Sequence, residues 1–393
     1  MKLDITDSIT RLEGWLKHNN YKGYEYYDGL TSVLRFITFG NWFAERLLIQ
    51  FFKRMPFNFR PVFGVRQLES TKGMGFIAKG YLNLWKETKN DVYRKKAEYF
   101  LNWLVTNHSK GYSGYCWGNS FDHASGAFQL PKNSPTLVWS GLIGHVFLNA
   151  YELFQEKKYL NVAESICTFI SKDIERTEYE GTICLSYVTF KKLPVHNANM
   201  IGSSLLARVY KYNGDKRLKS LAEKSMTYSC NAQLKNGAWL YSEAPNGNWI
   251  DNWHTAYNLD ALKHYIDSIG DSQFEKKLIK GYSFYKQNFF LKNGKPKYYY
   301  NRLRWADIQS AAQAIDTFCF FSEFDDDAIQ RALNVANWTI KNMQHKNGYF
   351  YYRDLGWKKV KIPMIHWGQA TMFSALSNLI QKTSDSVFPT NEL

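Results

Sequence analysis

The hydrophobic positions of this chain divide into two kinds of helix-like segment, which alternate along the sequence. One kind carries apolar residues on one face and charged residues on the other, a pattern that is typical of a helix at the protein surface. The other kind is apolar or small on nearly every side, which predicts a buried helix. The surface segments cover residues 91–107, 158–174, 216–233, 272–289 and 326–343, and the buried segments cover residues 73–85, 135–154, 197–210, 254–266, 309–321 and 368–380.

A short turn motif recurs between these segments. Lys-Asn-Gly occurs at residues 235–237, 292–294 and 346–348, each time at the end of a surface segment. Asn-Gly is typical of such turns because both residues tolerate a left-handed backbone. An aromatic, strand-like stretch follows each copy. Looser copies lie at residues 19–29, 109–119 and 178–190, so that the repeat occurs six times.

The number of segments predicts a closed ring. Six buried segments are followed by only five surface segments, and the N-terminal stretch at residues 5–19 supplies the missing partner for the last buried segment. A chain that begins with an outer helix and ends with its inner partner closes on itself. We therefore predict an all-α fold, an (α/α)6 toroid of six helical hairpins with short aromatic β-strand-like loops on one face, as a single domain over residues 1–393.

Residues 29–70 do not fit the repeat and form an insertion before the first buried segment. The insertion contains a basic amphipathic helix at about residues 40–54, which is rich in Phe, Trp and Leu. We expect a flap that packs over the ring. In the alternative, residues 31–63 contact a membrane surface or another protein.

The composition indicates a class of ligand. Aromatic residues make up 17% of the 393 residues, more than a core requires, and they suit a cleft that stacks sugars. The net charge of +15 would attract a polyanion. Because the chain has no basic tract, no zinc-finger spacing and no ribonucleoprotein-type motif, we expect an acidic oligo- or polysaccharide as the partner and no nucleic acid.

The cysteines and the apolar runs indicate a compartment. The five cysteines form no CxxC pair, so we expect free buried thiols in a reducing compartment. The N-terminal stretch does not resemble a signal peptide, and no apolar run approaches the ~18 residues of a membrane span. We expect a cytoplasmic location, peripheral to the inner face of the membrane if the insertion docks there.

The candidate functional residues precede or begin the buried segments. In a toroid all inner helices run the same way, so their N-termini gather around one shared space, here called the funnel, where helix dipoles favour bound anions. The candidate catalytic residues are Asp122, Asp251, Asp307, His254 and Tyr257. The candidate substrate-binding residues are Tyr27, Asp28, Trp117, His123, His196, Asn197, Asn199, Trp249, Trp253, Arg302, Arg304, Gln309, His366 and Gln369.

These residues support more than one chemistry. Two carboxylates across a sugar-sized cleft can act as general acid and base in glycosidic hydrolysis. A Tyr or His beside a cation could instead remove the proton next to a uronate carboxylate, in which case His254, Tyr257 and Arg304 matter more. Asp251 and Asp307 are also plausible helix caps. No metal-ligand spacing supports a zinc site at His196, His254, His366 and Asp251, and no cofactor fingerprint is present, so we expect neither a metal nor a cofactor.

Four phrases carry a resemblance to known proteins. WGNSFDHASGAF, HNANMIGSSLLARVY, DNWHTAYNLDALKHY and ADIQSAAQAI resemble uncharacterised proteins of bacterial and archaeal surface-polysaccharide gene clusters. Apart from the insertion, nearly the whole chain resembles the six-hairpin glycosidase-like superfamily and, more distantly, its unsaturated glucuronyl hydrolases. The resemblance implies an aspartate pair in the funnel, placed by location rather than by motif.

We therefore expect a carbohydrate-active enzyme that cleaves or modifies an acidic, uronate-containing glycan, with glycoside hydrolysis as the leading reaction. Polysaccharide lysis or uronyl epimerisation by Tyr/His chemistry is the first alternative. A non-catalytic protein that binds glycan within a polysaccharide-synthesis complex is the second.

Overall fold

The computed structural model of the chain describes residues 5–125, 128–303 and 305–387. In that part of the chain thirteen α-helices form: α1 (Ile5–His18), α2 (Trp42–Arg54), α3 (Thr71–Thr88), α4 (Asp91–Thr106), α5 (Leu137–Phe154), α6 (Lys157–Lys172), α7 (His196–Asn213), α8 (Lys216–Asn231), α9 (Asn252–Ile269), α10 (Glu275–Asn288), α11 (Ile308–Phe320), α12 (Ala328–Met343) and α13 (Thr371–Val387). A π-helical turn at Ile365–Ala370 leads into α13.

The helices form a ring with an inner and an outer layer. The inner layer consists of α3, α5, α7, α9, α11 and α13, each packed against its two inner neighbours, and α13 packs against α3 to close the circle. The outer layer consists of α4, α6, α8, α10, α12 and α1. The inner helices bury nearly every side, as the pattern of their apolar positions requires. The predicted (α/α)6 toroid is confirmed.

Helix α1 closes the outer layer from the other end of the sequence. Ser8 Oγ donates a hydrogen bond to Gln344 Oε1 at 2.8 Å, and Gln344 Nε2 donates to the Ser8 carbonyl at 3.0 Å. Glu13 on α1 accepts from Lys96 Nζ at 2.7 Å and from Tyr81 Oη at 2.9 Å. The first and last hairpins of the chain therefore meet through specific polar contacts.

The three Lys-Asn-Gly turns dock each hairpin onto the next outer helix. Their glycines, Gly237, Gly294 and Gly348, have φ values of +95°, +86° and +98°. A Cβ atom at these positions would stand 2.5, 2.2 and 2.1 Å from the backbone carbonyl oxygens of Lys280, Asn334 and Arg11 respectively. These carbonyls belong to α10, α12 and α1, so the repeated glycine permits a backbone contact that joins neighbouring hairpins.

Seven short strands lie among the loops before the inner helices: β1 (His123–Ala124), β2 (Gln129–Leu130), β3 (Arg176–Tyr179), β4 (Thr182–Leu185), β5 (Ala306–Asp307), β6 (Arg353–Asp354) and β7 (Lys359–Val360), within the described residues. They pair antiparallel as β1-β2, β3-β4 and β5-β6-β7. The aromatic stretches after residues 237 and 294 form isolated bridges rather than strands.

Backbone pairs between consecutive loops form a ring above the inner helices, here called the bridge ring. Its pairs are Thr136 with Val188, Val195 with Ser242, Asp251 with Tyr299, Asp307 with Arg353, and Met364 with Tyr24. Thr71 Oγ1 also donates to the Gly118 carbonyl at 2.8 Å, which joins the start of α3 to the loop before α5. The residues that begin the inner helices are thereby held around one face, as the sequence predicts.

The insertion packs beside this face through ion pairs, one of which is fully buried. Two 3-10 turns, Asp28–Thr31 and Val33–Thr38, precede α2, where the predicted amphipathic helix lies. Arg60 binds Asp28 at 2.9 Å, and both side chains are 1% exposed. Arg35 contacts Glu45 at 3.0 Å and Asp122 at 2.6 Å, which ties the insertion to the loop before α5.

Two further predictions concern cysteines and membrane spans. All five cysteines are free and buried, as predicted, and burial raises the pKa of the Cys116 thiol to about 12. Among the described residues, no helix combines the length and apolar character that a bilayer crossing requires.

Candidate functional site

The first turns of the inner helices present a set of polar and aromatic side chains to the funnel. Asp251 caps α9, Asp307 caps α11, Thr136 caps α5 and Ser70 caps α3, each with a side-chain oxygen that accepts a backbone N–H of the first turn. The residues just beyond the caps include Lys72, Trp139, His254, Gln309 and, in the π-helical turn, His366. The caps therefore fix the residue at which each of these four helices begins.

His254 is held by the aspartate that caps its own helix. Asp251 Oδ1 accepts from the His254 backbone N–H at 2.9 Å, and Asp251 Oδ2 pairs with His254 Nδ1 at 2.6 Å. Trp249 Nε1 donates to the same Oδ2 at 3.0 Å. Nδ1 is thus the protonated, donating nitrogen, and Nε2, which has no hydrogen-bond partner among the described residues, can exchange a proton. The imidazole is 14% exposed, whereas the carboxylate is fully buried.

His366 has the same arrangement with a partner from the other end of the chain. Its Nδ1 pairs with Glu25 Oε2 at 2.5 Å, and both side chains are 4% exposed. Its Nε2 is buried without a hydrogen-bond partner among the described residues. Burial lowers the pKa of His366, although the Glu25 carboxylate opposes this shift. His366 is therefore a neutral imidazole at neutral pH, with its free nitrogen at Nε2.

A series of aromatic contacts, mostly tilted or edge-on, connects the two histidines. The ring centroids of His254 and Trp253 are 3.4 Å apart, and those of Trp253 and Trp367 are 5.1 Å apart. Trp367 lies 5.5 Å from His366 and stacks on Tyr26 at 4.6 Å. A continuous aromatic surface of this kind is suited to the apolar faces of a sugar.

Lys72 lies beneath this aromatic surface without an ion-pair partner among the described residues. Its Nζ stands 4.8 Å from the Trp139 ring centroid and 5.5 Å from that of Tyr257, and the residue is 3% exposed. Burial lowers the pKa of Lys72 to about 7, against the opposing charge of Glu25. The lysine can therefore be charged or neutral at physiological pH.

Several buried polar atoms around the funnel have no partner within the described part of the chain. They are Glu25 Oε1, His123 Nδ1, Trp139 Nε1, Asn197 Oδ1, Trp253 Nε1, Gln309 Oε1 and His366 Nε2. Leaving such a group unsatisfied costs about 1–3 kcal/mol, so natural structures avoid it unless a ligand or water fills the need. A hydroxyl-rich molecule would supply both donors and acceptors here.

The other two candidate catalytic aspartates are fully engaged with protein groups. Asp307 accepts from Gln309 N and Trp367 Nε1 through Oδ1, and from Arg353 through Oδ2 at 2.7 Å. Asp122 accepts from the Lys132 N–H and from Arg35. These contacts outweigh partial burial and lower the pKa of Asp122. Each oxygen of the three candidate aspartates therefore has a protein partner, whereas Glu25 Oε1 has none among the described residues.

Four of the predicted binding residues have packing roles. Trp117 is fully buried and donates to the Leu104 carbonyl. Asn199 binds Leu185 N, Ser225 O and Ser229 Oγ, and Gln369 binds the backbone of Phe350 and Met364. Asp28 holds the buried Arg60. The sequence pattern could not separate these residues from ligand-binding ones, because their partners come from distant segments.

The remaining candidates that the structure describes lie at the funnel or at its edge. Tyr27, Trp249 and His123 are part-exposed, and Trp253, Asn197 and His196 are buried. Burial lowers the pKa of His123 and of His196 to about 4 each. Tyr257 accepts a hydrogen bond from Gln309 at 3.0 Å, Arg302 is exposed over Tyr299, and Arg304 lies outside the described residues.

The four residues of the alternative zinc site do not converge on one point. Asp251 pairs with His254, His366 pairs with Glu25, and His196 Nδ1 lies 3.1 Å from Ser229 Oγ. Within the described ranges, no group of three or more metal-binding side chains is placed to share an ion.

Several funnel residues were not anticipated from the sequence. Each of them approaches a candidate residue: Lys72 approaches Tyr257, Trp139 approaches His366, Tyr241 approaches His254, Trp367 approaches Trp253, and Arg353 binds Asp307. Lys72 could have been found, because it lies in the first turn of an inner helix, as several candidate residues of the other repeats do. Arg353 had no comparable signal, since it belongs to a strand after the turn at residues 346–348.

Two cavities adjoin the funnel. One, of about 480 Å³, lies at the edge of the insertion and is lined by Tyr26, Lys53, Tyr298, Trp305 and Arg353, among others. The other, of about 460 Å³, lies inside the ring, and its lining includes Lys72 and Tyr257.

Most ionic groups of the inner cavity are matched in pairs, including Lys79 with Asp316, Arg208 with Glu152 and Lys263 with Asp267. Such balance is typical of a structural polar core, whereas His254 and His366, the two histidines held by buried carboxylates, lie in the funnel. We therefore place the candidate site in the funnel.

Comparison with known proteins identifies the fold. No family model and no curated protein matches the chain. A sugar epimerase from a ruminal bacterium matches at a TM-score of 0.60 with 15% identity, over 81% of this chain and 90% of that chain. A GH76 α-mannanase from Bacteroides thetaiotaomicron matches at 0.58 with 12% identity, over 81% and 87%. A polysaccharide lyase matches at 0.59 with 8% identity, over 98% of both chains.

These solved structures share the α/α toroid. The chain therefore has the fold of the six-hairpin glycosidase-like superfamily, as the sequence resemblance implies. Because the identities are low, the likeness concerns the fold, and the reaction must be argued from the residues of the funnel.

Proposed function

We propose that this protein is a carbohydrate-active enzyme that transfers a proton at the carbon next to a sugar carbonyl, as a sugar epimerase or isomerase does. The observation that carries the proposal is the pair of histidines, His254 and His366, each held through Nδ1 by a buried carboxylate. A carboxylate in this position fixes the tautomer and stabilises the imidazolium that forms when Nε2 takes up a proton.

The chemistry needs one base and one acid on the two sides of a carbon. In an open-chain sugar, one histidine Nε2 removes the proton from the carbon beside the carbonyl, and the electron pair moves to form an enediolate. The other histidine, which enters this step as its imidazolium, donates its Nε2 proton to the opposite face, which inverts that carbon. The isomer forms instead when a proton moves between the two enediolate oxygens and the imidazolium donates to the neighbouring carbon. Each histidine is the base in one direction and the acid in the other.

Lys72 suits the stabilisation of the enediolate. Among the described residues its ammonium group has no carboxylate partner, and it lies against Trp139 and Tyr257, where the surrounding low dielectric strengthens its attraction for a developing negative charge. Lys53, above the rings of Tyr26 and Tyr27 at 4.6 and 5.1 Å, adds a second cation at the funnel. Two such lysines support an acidic sugar, such as a uronate, as the substrate class.

The fold alone would also permit hydrolysis, since the similar structures include a mannanase. Hydrolysis by general acid and base needs two carboxylates with free oxygens across the bond that breaks. Asp122, Asp251 and Asp307 use both oxygens in hydrogen bonds with protein groups. The funnel therefore favours proton transfer over the hydrolysis that heads the sequence-based expectations.

The test is solvent deuterium exchange. The protein is incubated in D2O with a panel of reducing mono- and disaccharides, neutral and uronate, and deuterium at the carbon beside the carbonyl is followed by NMR and mass spectrometry. We expect incorporation with at least one substrate, and a loss of at least about 100-fold for His254→Gln and for His366→Gln. Asp251→Asn should also reduce the rate, because it removes the acceptor that orients His254.

His18→Gln is the matched control, because His18 is exposed at the end of α1, and it should leave the rate unchanged. Appearance of new reducing ends without deuterium incorporation would reject proton transfer in favour of hydrolysis. Binding of a saccharide by calorimetry, with neither exchange nor cleavage, would support the non-catalytic alternative.

A further inference from the structure

The outer surface of the insertion concentrates exposed apolar side chains. Ten of the twenty-one large hydrophobic side chains that are exposed in the described chain lie within residues 33–62. They are Val33, Phe36, Ile37, Phe39, Trp42, Phe43, Leu47, Phe57, Phe59 and Val62, here called the apolar patch. Phe39 is 92% exposed and Phe36 is 73% exposed. A surface of this kind marks a contact with another molecule rather than an ordinary solvated face.

The patch belongs to a folded element that has its own internal supports. Asn41 caps α2 by accepting from Phe43 N and Ala44 N at 3.0 and 3.1 Å. On the inner side of α2, Ile49 and Phe52 are buried at 1% and 2% exposure. The insertion has therefore already buried one apolar face and still presents a second one to the outside.

Basic side chains border the patch. Residues 29–70 contain six Arg or Lys and two Glu. Arg60 is buried against Asp28, and Arg35 pairs with Glu45 and Asp122, so the basic surface rests on the other four. Arg46 stacks over Trp42 at 5.9 Å, and Arg54 and Arg66 are exposed. The whole chain carries +15. The surface around the apolar patch is thus complementary to a negatively charged one.

The side-chain chemistry distinguishes among the possible occupants. Nine of the ten residues are Phe, Val, Ile or Leu, which offer no hydrogen-bonding group, whereas sugar platforms are built from Trp and Tyr. A helix with Phe, Trp and Leu on one face and flanking Arg or Lys is the type that lies in the headgroup region of a bilayer. The hydrocarbon of a bilayer matches the apolar patch, and the lipid phosphates match the basic side chains around it.

We propose that residues 33–62 dock the protein onto an anionic lipid bilayer. Phe36, Phe39 and Phe43 enter the headgroup and acyl boundary, while Arg46 and Arg54 remain among the lipid phosphates. Gln50, Lys53 and Arg54 of the same helix line the cavity beside Tyr26 at the funnel edge. Membrane docking therefore places the opening of the candidate site beside the bilayer surface. The proposal stands independently of the reaction proposed above.

Vesicle flotation tests the docking. Wild-type protein is mixed with vesicles of phosphatidylcholine alone, or of phosphatidylcholine with phosphatidylglycerol. We expect flotation with the mixed vesicles, less in high salt, and little with phosphatidylcholine alone. The double variant Phe36→Asp/Phe39→Asp should bind at least about tenfold more weakly, because two apolar rings leave the interface. Arg54→Glu should also weaken binding to the mixed vesicles.

Val92→Asp and Ile279→Asp serve as controls. Val92 and Ile279 are also exposed apolar side chains, at 53% and 52%, but they lie on α4 and α10, outside the insertion. Vesicle binding by these two variants should therefore equal that of the wild type. Absence of flotation with either vesicle, or full binding by the double Phe variant, would overturn the proposal. Because Phe36 and Phe39 are exposed in the free protein, the double variant should keep the wild-type circular dichroism and Tm.

A labelled variant gives a second measurement. The five native cysteines are buried, so Phe39→Cys provides a single accessible thiol for an environment-sensitive dye. We expect a blue shift of the emission on addition of the mixed vesicles, and no shift for the same dye on Val92→Cys. Equal shifts at the two positions, or none at position 39, would contradict docking through the patch.

Discussion

At the scale of single residues, three histidines with similar sequence context have different environments. His196, His254 and His366 all lie in the first turn of an inner helix or of its π-helical lead. His254 and His366 bind buried carboxylates, whereas the nearest carboxylate oxygen of Glu243 lies 3.8 Å from His196. Glu25 and His366 are 341 residues apart in sequence, so no local pattern could have paired them.

Lys72 provides a prediction at this scale. Its pKa is about 7 in the folded protein and about 10.5 when unfolded, so between these values the unfolded chain binds more protons and stability rises with pH. The cost of burying the charge is complete at or below about pH 7. Lys72→Met removes this cost, which is on the order of 1.4 kcal/mol for each pH unit that separates the two pKa values. Denaturant unfolding near pH 7 should therefore show that the variant is more stable than the wild type.

The stability gained by Lys72→Met should shrink towards pH 10.5 and should accompany a loss of enzymatic activity. Lys79→Met is the contrasting variant. Lys79 pairs with Asp316 at 2.9 Å, and its removal leaves a buried carboxylate without its partner, which should lower stability at pH 7. A destabilised Lys72→Met protein at neutral pH would show that the lysine has a stabilising partner and that its pKa is not lowered.

At the scale of elements, the repeated turns are joints between hairpins. The sequence pattern correctly indicated the positions of these turns and predicted aromatic strands after them. It could not indicate that Gly237, Gly294 and Gly348 each contact the backbone of the next outer helix, because that helix lies tens of residues away or, for Gly348, at the other end of the chain. The strands are mostly single bridges, because the loops pair with neighbouring hairpins over only one or two residues.

Alanine at these glycines is expected to destabilise the ring. Gly237→Ala, Gly294→Ala and Gly348→Ala each combine a positive φ with a Cβ within 2.5 Å of a backbone carbonyl. Gly270→Ala is the matched control, since Gly270 has a φ of +72° but open space around its Cβ, and it should cost only about 1 kcal/mol of backbone strain. In chemical denaturation, the free energy of unfolding should fall further for each of the three joint variants than for this control. Equal losses would show that the close contacts relax without cost.

At the scale of the whole molecule, burial of neutral histidines makes stability depend on pH. His123 and His196 have pKa values of about 4 in the folded protein, against an ordinary value of 6.5, and the pKa of His366 is also lowered. Below pH 6.5 the unfolded chain binds protons that the folded chain does not, so stability falls as the pH drops towards 4.

Each buried histidine contributes up to about 1.4 kcal/mol per pH unit in this window. We expect the midpoint of denaturant unfolding to fall steadily between pH 6.5 and 4. Because the inner helices form an unbroken circle, we also propose that the chain is one domain, for which circular dichroism and tryptophan fluorescence report the same transition. A pH-independent midpoint, or two separate transitions, would contradict these expectations.

The sequence by itself determined the architecture of the ring. Helix periodicity, the alternation of buried and surface segments and the six turns are local features, and α1 through α13 follow them closely, because the hydrophobic effect acts on each segment through its own pattern of apolar positions. The same pattern of segments and turns also predicts which residues lie at the N-termini of the inner helices.

Only the tertiary structure decided what those residues do. In the folded chain Glu25 binds His366, and the Nε2 of that histidine stays free among the described residues. Both oxygens of each candidate aspartate are bound by protein groups, and Lys72 is buried with no counter-ion from that part of the chain. The physical reason is that hydrogen bonding and desolvation depend on distances through space between segments far apart in the chain, which no periodic pattern records.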